Sequence, residues 1–221
     1  MYKRQSAPSI EDIDATPTGY LTTVLDNQGN QTATLVASGS NRKYVTINEI
    51  PINLQHAFVA IEDERFYDHN GIDLQGILRA GLKGVASGFH FSEGASTITQ
   101  QLLKNTVFTQ WTSEQSMADK FERKFQEQYL ALQLEKVVDK DWILENYLNA
   151  INLGQNTLGV GVASERYFGK DVSDLTLSEC AVLAAITQSP SYYNPITHPD
   201  HNKERRQKVL NNMLDQGYIS Q

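Results

Sequence analysis

The residue placed best for chemistry is Glu62, in the acidic stretch of residues 60–73. If residues 54–67 form a helix with 3.6 residues per turn, Phe58 and Phe66 lie one turn on either side of Glu62. A carboxylate between aromatic rings is poorly solvated and holds its proton more firmly, which suits it to proton transfer near neutral pH. If the helix is phased differently, Glu62 is one more exposed acid, and periodicity alone does not separate these interpretations.

Residues 94–105 form a second group, rich in hydrogen-bond donors. Thr97 and Gln100 have the spacing of a capping box, which predicts that a helix begins here. One face of that helix carries hydroxyl, amide and ammonium groups, from Thr97, Gln100, Gln101 and Lys104. Beside the positive end of a helix dipole, such donors suit a phosphate or pyrophosphate. The alternative is a solvated polar face, as on most isolated amphipathic helices.

A third group lies on a helix predicted for residues 120–137. Glu127 shares one stripe of this helix with Arg123, four residues earlier, and with leucines. A second, apolar stripe consists of Phe121, Phe125, Tyr129 and Leu132. A helix that is apolar on two sides is expected to be central in the fold. Alternatively, Arg123 and Glu127 form an ordinary surface pair that adds a fraction of a kcal/mol.

The rest of the chain supplies the elements that position these groups. Residues 1–19 are polar and contain proline and glycine, which predicts a flexible lead-in. Two β-rich runs, residues 20–26 and 31–37, flank a turn-forming segment and predict a hairpin. Helical patterns dominate from Pro51 onward. Further helices are predicted at residues 74–85, 141–153, 163–168, 175–186 and 201–215.

Three connecting features accompany these helices. Glu145, Asn149 and Asn152 form a polar stripe on the helix of residues 141–153, and we expect it to join segments by hydrogen bonds. The glycine-bounded segment 86–94, with two phenylalanines, is either a mobile lid or a plain surface connection. Residues 106–118 either dip into a membrane or pack on the domain.

Composition narrows the class of protein. With 221 residues, 40% of them apolar, the chain can build one domain with a substantial core. Its formal net charge of −7 argues against nucleic-acid binding, although clustered Arg and Lys within residues 71–170 can still hold an anionic substrate. The single cysteine, Cys180, excludes an intrachain disulfide and is expected in the core. No apolar run reaches the roughly 18 residues of a bilayer span.

Five motifs, in a fixed order, give the chain a family likeness. They are EDxxFxxHxGxD at residues 62–73, GASTITQQLxKN at 94–105, RKxxE at 123–127, ILExYLN at 143–149 and YFGK at 167–170. In these motifs the sequence resembles the peptidoglycan glycosyltransferases of family 51, the polymerase domain of class A penicillin-binding proteins and of monofunctional transglycosylases. The first two motifs are highly specific.

This resemblance implies a fold and a reaction. The fold is mainly α, a lysozyme-like helical domain with a small membrane-proximal subdomain, here preceded by a short N-terminal β segment. Residues 1–45 would be the flexible lead-in and β segment, and residues 46–221 the glycosyltransferase domain. The reaction is the polymerisation of lipid II into β-1,4-linked glycan, with inversion at the anomeric carbon and release of undecaprenyl pyrophosphate.

The resemblance also implies residue roles. Glu62 falls on the catalytic base that deprotonates the acceptor 4-hydroxyl, and Glu127 on a second acid near the donor pyrophosphate. The expected substrate-binding residues are Phe66, His69, Ser96, Thr97, Gln100, Gln101, Lys104, Asn105, Arg123 and Lys124. Three further cations, Arg79, Arg205 and Arg206, are either site residues or members of surface salt bridges.

Cofactors, partners and location follow from the same resemblance. It allows a divalent cation, Mg²⁺ or Mn²⁺, at Glu127, and it implies no organic cofactor. The expected partners are lipid II, the growing glycan chain, the membrane surface and a transpeptidase domain in the parent protein, with no nucleic acid. The expected location is the outer face of the bacterial cytoplasmic membrane. Since neither a membrane anchor nor a transpeptidase is recognisable, we expect a piece of a longer protein.

Two other functions compete with glycan polymerisation. A lysozyme-like hydrolase or lytic transglycosylase would also place a glutamate in an apolar cleft, but it would not need the cationic and amide-rich groups that suit a pyrophosphate. A non-catalytic module that binds peptidoglycan would need neither Glu62 nor Glu127.

Overall fold

The computed structural model describes residues 10, 13–37, 40–86, 96–109 and 116–221. Over these residues the chain is mainly helical, as predicted. The elements are β1 Thr22–Leu25, β2 Gln31–Leu35, α1 Ile52–Glu62, α2 Leu74–Ala86, α3 Ile98–Thr106, α4 Met117–Leu134, α5 Lys140–Ala150, α6 Val160–Phe168, α7 Leu177–Ile186 and α8 Pro199–Asp215, with a 3₁₀ turn at Val172–Asp174.

The predicted hairpin is present. β1 and β2 pair in antiparallel register, with Thr23 opposite Thr34. The connecting turn is held by the Asp26 carboxylate, which accepts the backbone N–H groups of Gln28 and Asn30, each at 2.8 Å. Gly29 supplies the positive φ of 86° that this turn requires.

The first helix ends earlier than predicted. α1 stops at Glu62, and residues 64–68 form turns, so Phe66 does not lie one helical turn beyond Glu62. Tertiary contacts explain the end of the helix. The carbonyl of Ala60 accepts the side-chain amides of Asn212 in α8 and of Gln216, the residue that follows α8, each at 3.0 Å. These amides satisfy a carbonyl that the end of the helix leaves without a partner.

Two compact units make up the chain. The first contains residues 1–15 and 62–144, and so includes Glu62, α2, α3 and α4. The second contains residues 16–61 and 145–221, and so includes the hairpin and α6 to α8. The domain boundary expected at residue 46 stays a prediction.

In the second unit, the helices pack around an apolar interior. α7 is buried from Cys180 to Ile186, and it packs against α8. Cys180 is fully buried, which confirms the predicted core thiol, and burial raises the pKa of this thiol to about 12. The predicted polar stripe also joins segments: Asn149 exchanges two hydrogen bonds with the backbone of Val45, and Glu145 accepts the N–H of Ile47 at 2.6 Å.

In the first unit, α3 and α4 pack against each other. The buried face of α4 contains Glu127, Leu130, Ala131 and Leu134. The aromatic stripe lies on the solvent side, where Phe121 and Phe125 are 59% and 70% exposed. The expectation that this helix is buried on two sides is therefore wrong.

Two predicted segments lie largely or partly outside the described residues. The segment expected to act as a lid or surface connection, residues 86–94, is described only at its first residue. Of residues 106–118, the stretch 110–115 is likewise not described. In the part of the chain that the structure does describe, none of the helices combines the length and the apolar character needed to span a bilayer.

Candidate active site

Glu62 ends α1 and is held by a residue of α3. The side-chain amide of Gln101 donates to Oε2 of Glu62 at 3.0 Å, and both residues are only partly buried. A carboxylate fixed by an amide donor at a partly accessible position can accept a proton from a bound hydroxyl. The structure thus brings together two residues that were predicted separately.

Asp63, the next residue, fastens the start of α3. Its buried carboxylate accepts the backbone N–H of Ile98 at 2.9 Å and contacts Nε2 of His69 at 2.9 Å. An acid at the N-terminus of a helix is favourable because the exposed N–H groups carry partial positive charge. The first N–H of α3 is therefore bound by the protein's own carboxylate and is not available to a phosphate, while the expected phosphate site as a whole stays a prediction.

The hydrogen bonds of His69 define its tautomer. The backbone N–H of Gly71 donates to Nδ1 at 3.1 Å, so Nδ1 is the acceptor and Nε2 carries the hydrogen that points to Asp63. The His69 side chain is 8% exposed. It orders the turn after Glu62 and has little surface left for a ligand.

The predicted capping box is half formed. The Thr97 hydroxyl accepts the backbone N–H of Gln100 at 3.2 Å, which confirms the N-cap. The Gln100 amide does not return to Thr97; it reaches the carbonyl of Gly71 at 3.4 Å, and the Thr97 hydroxyl donates to the same carbonyl at 2.8 Å. Both side chains are buried, so they tie α3 to the turn at Gly71, and their expected role as substrate ligands stays a prediction.

Glu127 is fully buried between two cations of its own helix. Arg123 pairs with Oε1, and Lys124 pairs with Oε2 at 2.7 Å. Lys124 also donates to the hydroxyl of Ser96 at 3.0 Å. The alternative of an ordinary surface pair is excluded, because the carboxylate of Glu127 is inaccessible to solvent. Together, Arg123, Lys124 and Glu127 carry one net positive charge.

A small cleft lies beside Glu62. Its volume is about 30 Å³, and it is lined by Glu62, Asp63, Glu64, Asp73, Gly76, Arg79, Ser96 and Thr97. Arg79 pairs with Glu64 at 2.7 Å and holds the pKa of Glu64 below its usual range. Burial raises the pKa of Asp73, but the bidentate Arg65 and the N–H of Gly76 together outweigh burial and keep it low. Arg79 is thus both a cleft residue and a salt-bridge partner.

Other predicted residues have different surroundings. Phe66 is fully buried, and the ammonium of Lys140 lies 4.5 Å from its ring centre, so Phe66 belongs to the core of the first unit. Lys104 and Asn105 are partly buried on α3. In the second unit, the guanidinium of Arg205 lies 5.1 Å from the ring centre of Tyr193.

Sequence reasoning missed three structural anchors. Asp63 belonged to a recognised motif, but no role was assigned to it. Glu135 and Lys140 received no role at all, although they form a partly buried ion pair. Most residues from 135 to 141 are charged, so the local sequence does not single out these two.

The structure gives little support to the expected divalent cation. Both oxygens of Glu127 are bound by cationic side chains, and within the described ranges no three His, Cys, Asp or Glu side chains are grouped to hold a metal ion. Since Mg²⁺ and Mn²⁺ need accessible oxygen ligands, these residues do not fit a metal at Glu127. The cation stays an expectation from the resemblance, and the proposed reaction does not depend on it.

Comparison with known proteins gives a consistent result. A family model described as "Transglycosylase" matches residues 28–214. Penicillin-binding protein 1F of Bacillus subtilis is 48% identical over 89% of this chain, which corresponds to 26% of that protein. Penicillin-binding protein 1A of Clostridium perfringens (strain 13 / Type A) is 44% identical over 98% of this chain, or 32% of that protein.

A solved structure shows the same fold. Penicillin-binding protein 1A from Haemophilus influenzae matches 93% of this chain, and 20% of its own, with a TM-score of 0.50 and 24% sequence identity. Penicillin-binding protein 1A of Escherichia coli (strain K12) is 47% identical over 80% of this chain. The chain thus spans about a third or less of the length of these relatives.

Proposed function

The chain belongs to the transglycosylase family, and we propose on that premise that it polymerises peptidoglycan glycan from lipid II. The observation that supports this most is the position of Ser96. It lines the cleft beside Glu62, and its hydroxyl accepts a hydrogen bond from Lys124 of the cationic group. Ser96 therefore connects the cleft that contains the proposed base with the cations of α4. Transfer from a pyrophosphate donor needs both a base for the acceptor and positive charge for the leaving group.

In the proposed reaction, Glu62 takes the proton of the acceptor 4-hydroxyl as that oxygen attacks the anomeric carbon of the donor. The bond from the anomeric carbon to the pyrophosphate oxygen breaks on the opposite face, which inverts the centre and forms a β-1,4 linkage. The electron pair leaves on undecaprenyl pyrophosphate. Gln101 orients the carboxylate of Glu62 through its 3.0 Å hydrogen bond.

Glu127 would serve the leaving group indirectly. Its buried carboxylate holds Arg123 and Lys124 together, and without that acid the two cations, one residue apart, would repel each other. Guanidinium and ammonium groups fixed in this way can stabilise the charge that develops on the pyrophosphate. Glu127 is therefore proposed as the residue that positions the cations.

Incubation with labelled lipid II tests the proposal. Wild-type protein is expected to yield glycan polymer, and Glu62→Gln to lower the rate by at least about 100-fold at an unchanged melting temperature. Asp68→Asn, an exposed acid in the same stretch, is the matched control and should retain the wild-type rate. Equal rates for wild type and Glu62→Gln would refute the base.

The same incubation separates the competing functions. Cleavage of preformed glycan without polymer formation would favour a hydrolase or lytic transglycosylase. Binding of glycan with neither reaction would favour a non-catalytic module. Glu127→Gln is expected to lose polymer formation together with some stability, because both Arg123 and Lys124 lose their partner charge.

The membrane surface is a further proposed partner. α2 exposes Leu74, Leu78 and Leu82 at helical spacing, and α4 exposes Phe121 and Phe125. Exposed apolar stripes of this kind mark membrane or protein contacts. We place the first unit against the outer face of the bacterial cytoplasmic membrane, where lipid II would be presented by its lipid tail.

Liposome co-sedimentation tests this placement. Replacing both Phe121 and Phe125 by Ser should reduce the bound fraction severalfold. Ile196→Ser, at an apolar position of the second unit that is 54% exposed, is the control and should not change binding. Equal binding by both variants would contradict the placement.

The relatives are much longer than this chain and are named penicillin-binding proteins. We propose that the parent protein also contains a transpeptidase domain. Covalent labelling of the full-length parent by a fluorescent β-lactam tests this, and a parent protein that is not labelled would contradict it.

A further inference from the structure

A partly buried ion pair lies in the first unit, outside the proposed active site. Glu135, just after α4, and Lys140, at the start of α5, are 2.6 Å apart. Their side chains are only 3% and 22% exposed. The proposed reaction uses neither residue.

Each member of this pair binds a different part of the site's framework. Glu135 accepts a hydrogen bond from the hydroxyl of Thr99, in the first turn of α3. Lys140 donates to the backbone carbonyl of His69 at 2.7 Å and lies over the ring of Phe66. The pair thus connects α3 with the turn that follows Glu62.

These contacts form a continuous series that connects the two sides of Glu62. On one side, His69 holds Asp63, the residue next to Glu62. On the other side, Thr99 lies two residues before Gln101, which binds Glu62 directly. Lys140 and Glu135 join the two sides, in addition to the direct bonds of Asp63 with Ile98 and of Thr97 with Gly71. They are therefore a further link between the turn and α3, close to the Glu62–Gln101 hydrogen bond.

Stability alone is a poor explanation for an ion pair at this position. Removing two charges from water is costly, and buried pairs can often be replaced by apolar residues without loss of stability. What an ion pair offers, and an apolar pair does not, is directional bonding to several groups at once.

We propose that Glu135 and Lys140 are positioning residues for the glycosyl transfer, acting through Thr99 and His69 to fix Glu62 against Gln101. This inference rests on the proposed role of Glu62 as base. A displaced base mainly reduces the stabilisation of the transition state. We therefore expect kcat to fall while KM stays close to the wild-type value.

The deciding variant is Glu135→Gln combined with Lys140→Met. Gln keeps an acceptor for Thr99, and no unpaired charge is left buried, so the melting temperature should stay within about 4 °C of the wild type. We expect kcat on lipid II to fall at least about tenfold, with KM within about twofold. The single variant Lys140→Arg keeps donors for Glu135 and for the His69 carbonyl, and it should retain most of the wild-type kcat.

Lys136→Met is the matched control, since Lys136 is exposed and reaches only Gln133, at 3.3 Å, among its described hydrogen bonds. It should match the wild type in both kcat and melting temperature. A double variant with wild-type kcat would overturn the inference. A double variant that fails to fold would also overturn it, because the ion pair would then serve stability. If wild-type protein makes no polymer, the proposed function fails instead.

Discussion

The carboxylate of Asp63 accepts the first backbone N–H of α3, that of Ile98, across 2.9 Å. This contact joins the residue after the proposed base to the helix that carries its hydrogen-bond partner. It also places a negative charge at the positive end of α3. The start of α3 is therefore held in place by Asp63, and its first N–H is not available to an anion.

Replacing Asp63 by Ala should remove the contact that holds the start of α3. Because the carboxylate is buried and holds both Ile98 and His69, we expect the free energy of unfolding to fall by about 2 kcal/mol. Asp68→Ala, an exposed acid five residues later, should change it by less than about 0.5 kcal/mol. Urea denaturation of both variants measures the difference, and equal values would show that the Asp63 contacts add nothing.

Gly71 provides a test of the turn. Its φ is 90°, and a Cβ atom there would lie 2.6 Å from the carbonyl oxygen of Ala131 in α4. Gly71→Ala therefore combines backbone strain with a clash against backbone, and should cost about 3 kcal/mol or more. Gly29 has nearly the same φ, 86°, with no atom within 4 Å of the added Cβ, so Gly29→Ala measures the strain alone.

Thermal unfolding of the two glycine variants separates strain from clash. Gly29→Ala should cost about 1 kcal/mol, and the excess for Gly71→Ala is the clash with α4. If both variants lose the same amount, the close approach of Gly71 to Ala131 is not rigid.

The fold was largely predictable because its helices and hairpin follow local periodicity and turn chemistry. The end of α1 was not, since amides at the C-terminal end of α8 and the contacts of Asp63 decide where it stops. The family motifs located Glu62, Gln101 and Glu127, and helical spacing paired Glu127 with Arg123. The bonds of Gln101 to Glu62 and of Ile98 to Asp63 cross 39 and 35 positions, and local sequence patterns do not contain this information.

The start of α7 should depend on acidity. Lys170 and the backbone N–H of Thr176 hold the pKa of Glu179 at about 2, below the ordinary 4.5, as part of a capping box. A lowered pKa in the folded state adds stability that is fully present above pH 4.5 and is lost as pH falls toward about 2. The melting temperature of Glu179→Gln should therefore lie below that of wild type at neutral pH.

The gap between the two melting temperatures should close as pH falls through that window. Lys170→Met should show the same trend, because it removes the first cause of the shift. Calorimetry at several pH values measures this. A gap that does not change with pH would mean that the Lys170–Glu179 contact is not electrostatic in origin.

Gln101 should matter to the rate far more than to the fold. It is partly buried, and its amide donates to Glu62, whereas the neighbouring Gln100 is buried and reaches Gly71. A hydrogen bond to a charged group contributes about 1.5–3 kcal/mol, so Gln101→Leu should lower kcat roughly 10- to 100-fold with little change in melting temperature. Gln100→Leu should show the reverse order, a clear loss of stability with a smaller loss of kcat in the folded fraction. If Gln101→Leu polymerises lipid II at the wild-type rate, the base does not need this amide, and another group orients Glu62.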